Sequence, residues 1–135
     1  MVEEKQETLV HKELSYQIIG VCFSVWNELG NGHKEKFIQR AIETELVRQG
    51  LHFKREVPAT LRYKGITIGH AFLDFLIEDT VVVEIKVGER FKNQDYIQVK
   101  NYLTQFNKEL GLLIRFGQTG VFHKRILKPY AFLHL

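Results

Sequence analysis

The run Val81-Val82-Val83-Glu84-Ile85-Lys86-Val87 constrains this chain more than any other stretch. Its β-branched residues favour a strand, and its apolarity puts that strand in a core. An acid or a lysine in such a place costs several kcal/mol unless it is paired or holds a metal. Side chains alternate along a strand, so Glu84 and Lys86 share a face and Ile85 points the other way. The apolar run before it, Ala71-Phe72-Leu73-Asp74-Phe75-Leu76-Ile77, carries a second acid, and Glu78-Asp79 separates the two as a turn signal. An antiparallel pair folded about residue 79 sets Asp74 opposite Glu84, close enough to share a cation.

Like charges so placed repel, so a metal or Lys86 must compensate. Two oxygen ligands for a hard cation, with an ammonium beside them, suit attack of water on a phosphodiester. As a bare pattern, Asp-x9-Glu-x-Lys arises often by chance. Its setting in two apolar strands that share a turn is what singles it out. The plain alternative is a partly exposed ion pair between Lys86 and one acid.

Around these strands the apolar periodicity changes twice. Leu14, Ile18, Val21, Cys22, Val25, Trp26 and Leu29 recur at helical spacing within residues 9–29, and Gly30-Asn31-Gly32 ends that helix. A second helix is expected over roughly residues 33–49, with Phe37, Ile38, Ala41, Ile42 and Leu46 inward and Gly50 closing it. From Phe53 to Tyr63 the odd positions Phe53, Val57, Ala59, Leu61 and Tyr63 are apolar, as in a half-buried strand. Pro58 favours an edge or a bulge there. Lys64-Gly65 turns the chain into a strand over residues 66–77, and a third follows over residues 80–87. A helix over roughly residues 94–106 presents Tyr96, Val99, Leu103 and Phe106 on one side. Short strands over residues 111–115 and 121–127 complete the order. With no repeat or linker, residues 1–135 read as a single α/β domain, residues 1–8 frayed.

A chain of 135 residues with 44% apolar and 26% charged content is an ordinary soluble protein, able to bury a core without disulfides. Cys22 is the only cysteine, which excludes a disulfide framework and reads as a buried structural thiol. The charged N-terminus shows no signal peptide and no apolar run could span a membrane, so a cytoplasmic protein is expected. A net charge of +3 permits nucleic-acid binding without arguing for it. Lys108, Arg115, His123, Lys124, Arg125 and Lys128 collect late in the chain, and a solvated surface is their plain reading. His11, His33, His52, His70, His123 and His134 lack zinc-like spacing, though His70 shares a strand face with Asp74. There is no Gly-rich phosphate loop, nucleophile elbow or catalytic triad signature.

Glu35 is a further candidate. It falls in the first turn of the second helix, where the helix dipole favours an acid, and it could equally serve as a metal or water ligand. Gln98 and Tyr102 share a face of the third helix at i, i+4 spacing, with Asp95 and Gln105 nearby. For Asp95 and Gln105 a solvated face is the plain reading.

With Asp74, Glu84-Ile85-Lys86 and the Gln98–Tyr102 helix together, the chain resembles the PD-(D/E)XK nuclease superfamily. More narrowly it resembles the small GxxExxY group. Leu29-Gly30-Asn31-Gly32-His33-Lys34-Glu35 approaches the group's opening motif, and residues 50–64 its middle. Gln98-Val99-Lys100-Asn101-Tyr102-Leu103 and Leu110-Gly111-Leu112-Leu113-Ile114-Arg115-Phe116-Gly117 resemble its later part. Ile38 stands where a tyrosine is expected, and Leu73 where the superfamily places proline. The resemblance implies a restriction-endonuclease-like core, a mixed central β-sheet flanked by helices. It implies that Asp74 and Glu84 bind Mg2+, for which Mn2+ can substitute, helped by the Ile85 carbonyl, while Lys86 positions water. Glu35 and Gln98 would be auxiliary catalytic residues and Tyr102 a substrate contact. The expectation is a magnesium-dependent nuclease acting on nucleic acid, DNA favoured, and leaving a 5′ phosphate. The alternative is a catalytically inactive nucleic-acid-binding or assembly module that keeps the fold. A homodimer building its groove across two chains is a third arrangement.

Overall fold

The computed structural model describes residues 10–129. The frayed segment expected over residues 1–8, and His134, lie outside them. The elements run α1 (Lys12–Leu29), α2 (Glu35–Arg48), β1 (Phe53–Tyr63), β2 (Ile66–Ile77), β3 (Val81–Val87), α3 (Asn93–Phe106), β4 (Leu110–Phe116) and β5 (Val121–Leu127). One five-stranded sheet follows chain order from β1 to β5. β3 and β4 are parallel and every other neighbouring pair is antiparallel. A parallel pair needs a crossover, and α3 supplies it. The architecture is therefore a mixed sheet flanked by helices, the restriction-endonuclease-like core expected.

Two apolar layers hold the helices to the sheet. Ile18, Val21, Cys22 and Val25 of α1 and Ile38, Ile42 and Leu46 of α2 pack on Phe75, Ile77, Val83 and Ile85. Val99, Tyr102 and Leu103 of α3 pack on Leu73, Leu76, Val82 and Leu113 from the other side. β4, covered by both layers, is buried along its whole length. At Gly111 a side chain would not fit, since a Cβ there would lie 2.5 Å from Val99 Cγ1. Cys22 is buried, and burial pushes its thiol up to about 12, as suits an inert core residue.

Two expectations are corrected. Phe37 is not an inner residue of α2: it is 49% exposed, because the buried stripe runs Ile38, Ile42, Leu46 at four-residue steps. Nor do the odd positions of β1 share one buried face. Phe53 packs under α1 and α2, whereas Val57 and Ala59 pack under α3, and Leu61 and Tyr63 are exposed. The alternation slips at Glu56, whose φ of 50° rolls the strand over. β2 slips opposite it, with Phe75 in one layer and Leu73 in the other.

Of the late basic residues, His123 and Lys124 are exposed as expected, whereas Arg115 and Arg125 are structural. Arg115 is buried between the rings of Phe91 and Phe122, at 5.0 and 4.2 Å, and donates to the Gly88 carbonyl at 2.9 Å. Arg125 donates to Ser15 Oγ and to the Val10 carbonyl, tying β5 to α1.

Candidate active site

At Asp74 the β2 and β3 strands part. Ile77–Val81, Leu76–Val82 and Phe75–Val83 are paired, and the turn at Glu78-Asp79 sets that register. The next pair in the same register would be Asp74 and Glu84. There the backbone ladder gives way to side chains that bridge the gap. Ile85 N–H donates to Asp74 Oδ2 at 2.7 Å, and Asp74 N–H donates to Glu84 Oε1 at 3.1 Å. Each backbone donor released by the parting is thus satisfied by the other strand's acid, and both carboxylates are drawn into one notch. A residue's N–H and C=O point to the same side of an extended strand. With its N–H committed to Asp74, Ile85 therefore turns its carbonyl into the same notch.

Glu84 is only 3% exposed, and Lys86 Nζ lies 3.5 Å from its Oε2. The ammonium also lies 3.9 Å from Asp95 Oδ1. Burial pushes the Glu84 carboxyl up to about 8, and the neighbouring Asp74 charge adds to the rise. Asp74 is raised as well, chiefly by burial, with the Ile85 N–H and the Lys86 and Arg55 charges working against it.

Glu35, in the first turn of α2, lies within electrostatic reach of the same cluster. Its pKa is raised by burial and then by Asp74, while Lys86 lowers it. Gln39 Nε2 donates to Glu35 Oε2 at 3.3 Å, and Arg55 Nη2 donates to Gln39 Oε1 at 2.7 Å. Arg55 also pairs with Glu43 at 3.4 Å and covers the Phe75 ring at 4.9 Å. A chain of contacts therefore runs from β1 through α2 to Glu35.

On the α3 side, Gln98 Nε2 donates to the Tyr102 hydroxyl at 3.2 Å, and that hydroxyl donates to the Phe72 carbonyl at 3.2 Å. Tyr102 is buried, and burial together with the Glu84 and Asp74 charges pushes its phenol up to about 12. It senses both acids, yet its hydroxyl is committed to holding β2 beside Asp74. His70 lies farther along β2 and is exposed.

Three residues of this arrangement escaped sequence reasoning. Asp95, expected on a solvated face, is buried: it accepts the Lys92 N–H at 3.1 Å, capping α3, and turns its other oxygen to Lys86. An acid three residues after a helix start was the available signal. Arg55 announced itself only as a cation interrupting an apolar alternation. Gln39 gave no signal.

Among the described residues, no three or more His, Cys, Asp or Glu side chains are grouped to hold a metal. The donor set is two acids and a backbone carbonyl. It suits a small hard cation that keeps water and substrate phosphate as its remaining ligands. Such an ion would also offset the burial that raises both acids and the Asp74 charge that raises Glu84 further.

A mixed α/β sheet with two acids and a lysine gathered where its strands part defines a nuclease-like class of protein. A family profile described as the PD-(D/E)XK nuclease superfamily matches residues 12–126, and the chain belongs to that superfamily. Among solved structures it is similar to the crystal structure of SSO0001, at 19% identity and a TM-score of 0.57 over 73% of this chain and 52% of that one. It is also similar to an alkaline exonuclease (LHK-Exo) from Laribacter hongkongensis, at 14% identity and a TM-score of 0.53, covering 84% of this chain and 70% of that one. The chain thus spans about half the length of the first of these structures. At these identities the likeness is one of fold. No curated protein matches in sequence. No helix among the described residues is long and apolar enough to cross a membrane.

Proposed function

We propose that this protein hydrolyses nucleic-acid phosphodiester bonds, DNA favoured, using a divalent cation, Mg2+ with Mn2+ as a substitute. The observation that carries this reading is the exchange of backbone bonds across the parting strands, which holds Asp74 and Glu84 in one notch with Lys86 at 3.5 Å from Glu84. Asp74, Glu84 and the Ile85 carbonyl would hold the ion. When bound, the ion supplies the positive charge that polarises a phosphoryl oxygen and acidifies water.

The chain's own residues do the rest. Lys86, steadied between Glu84 and Asp95, positions the attacking water and offsets negative charge as it develops on the phosphate. Glu35, oriented by Gln39, holds water from the α2 side. Gln98 acts through Tyr102, keeping the backbone at Phe72, and hence Asp74, in place against the substrate. Cleavage leaves a 5′ phosphate. We further assign the chain to the GxxExxY group on its Leu29–Glu35 and Gln98–Leu103 motifs, and to the cytoplasm.

The test is cleavage of labelled DNA by purified Asp74→Ala and Lys86→Ala proteins, with circular dichroism to verify folding. Each is expected to lose magnesium-dependent activity by about a hundredfold or more. Unchanged turnover in either folded variant, or equal turnover after chelation, defeats the assignment.

A further inference from the structure

Beyond the Glu56–Asp74 slip the β1–β2 hairpin leaves the sheet, because β3 pairs with β2 only over residues 75–77. Residues 57–73 contain no acid, and their charged or titratable side chains are Arg62, Lys64, His70 and the Tyr63 phenol. The cross-strand register sorts this ribbon by face. Val57, Ala59, Ala71 and Leu73 pack toward α3. The intervening pairs Pro58–Phe72 and Thr60–His70 therefore stand on the opposite face, and Arg62 follows them along β1, while β2 takes up the register shift after Leu61 with the unpaired Ile68.

That face is open. Phe72 is 56% exposed, and Arg62 and His70 join no ion pair among the described residues. Phe72 lies two residues from Asp74, roughly 7 Å along the strand. A ring, an imidazole and a guanidinium thus lead away from the two acids in that order. An exposed ring offers a stacking platform and an unpaired guanidinium follows phosphates, which together fit a strand whose bases are free. A duplex keeps its bases stacked within and would have to be unstacked to use the ring.

We propose that the distal hairpin grips an unpaired nucleic-acid strand and leads it to Asp74, which makes single-stranded nucleic acid the substrate class. The inference rests on the nuclease reading above for what happens at Asp74, and the test separates the two. Binding is read without metal in an Asp74→Asn background, by fluorescence anisotropy of a labelled oligothymidine of about twelve nucleotides and of a duplex of equal length. Thermal melts and solution mass accompany it, and wild-type cleavage is measured in parallel.

The single strand should bind more tightly than the duplex. Phe72→Ala should weaken that binding about tenfold, Phe72→Leu should do the same because it restores bulk without a ring, and Arg62→Ala should weaken it about threefold. Melts should be unchanged, since these side chains are exposed. A duplex bound as tightly as the single strand, or alanine variants within about twofold of the parent, overturns the grip even if wild-type cleavage depends on Asp74 and Lys86. A doubled solution mass that Phe72→Ala returns to monomer gives the surface to a second copy and overturns it too. Ring-dependent strand binding without any cleavage supports the grip and sinks the nuclease reading alone.

Discussion

Glu84 is buried almost completely yet carries a carboxyl, and that has a measurable cost. Its ordinary pKa of 4.5 is pushed up to about 8 in the folded chain, first by burial and then by Asp74. Between those values the folded state binds a proton that the unfolded state has released. Stability of the metal-free protein must therefore fall as pH rises through that window, by an amount on the order of a few kcal/mol. Asp74 and Glu35 are raised too and act with the same sign. Thermal melts in chelator should show a lower Tm at about pH 8.5 than at about pH 5.5, and Glu84→Gln should remove most of the difference. Parallel curves for the two proteins would trace the effect to some other group. Asp95 offers a second residue-scale test. Asp95→Asn keeps an acceptor for the Lys92 N–H but removes the charge facing Lys86. We expect kcat to fall about tenfold with KM and Tm little changed. A drop in Tm with normal kcat would make Asp95 a helix cap and nothing more.

Among the elements, β3 was legible because Val81–Val87 leaves no other role for so apolar a run, and the turn at Glu78-Asp79 gave its register with β2. The β1 alternation misled. A period-two pattern predicts one buried face only while the strand stays regular, and Glu56 takes a left-handed backbone for which nothing in its side chain argues. That slip lets the hairpin turn from one core layer to the other at the level of Asp74. α3 depends on close approach to β4 at Gly111. Gly111→Ala would set a methyl against Val99 Cγ1. It should cost about 1–3 kcal/mol in chemical denaturation and reduce cleavage by displacing the helix that carries Gln98 and Tyr102. A variant as stable and active as the parent would show that α3 can shift without consequence.

Over the whole molecule, the acid pair and Lys86 could be read because they sit on consecutive strands joined by a short turn, so local register brings them together. The contacts around them could not. Arg55 reaches Gln39 and Lys86 reaches Asp95 only after α2 and α3 have docked on opposite sides of the sheet. Packing decides such pairs, and no spacing announces them. A cation that binds only the folded protein must stabilise it by mass action. Manganese should therefore raise the Tm of the wild type and leave that of Asp74→Ala unmoved, whereas equal shifts in both would place the ion elsewhere. The most direct measurement is anomalous diffraction from crystals of the wild-type protein soaked in manganese. An anomalous peak within bonding distance of the Asp74 and Glu84 carboxylates and the Ile85 carbonyl is the predicted result. Manganese bound only at other sites, with that notch empty at saturating metal, would contradict it.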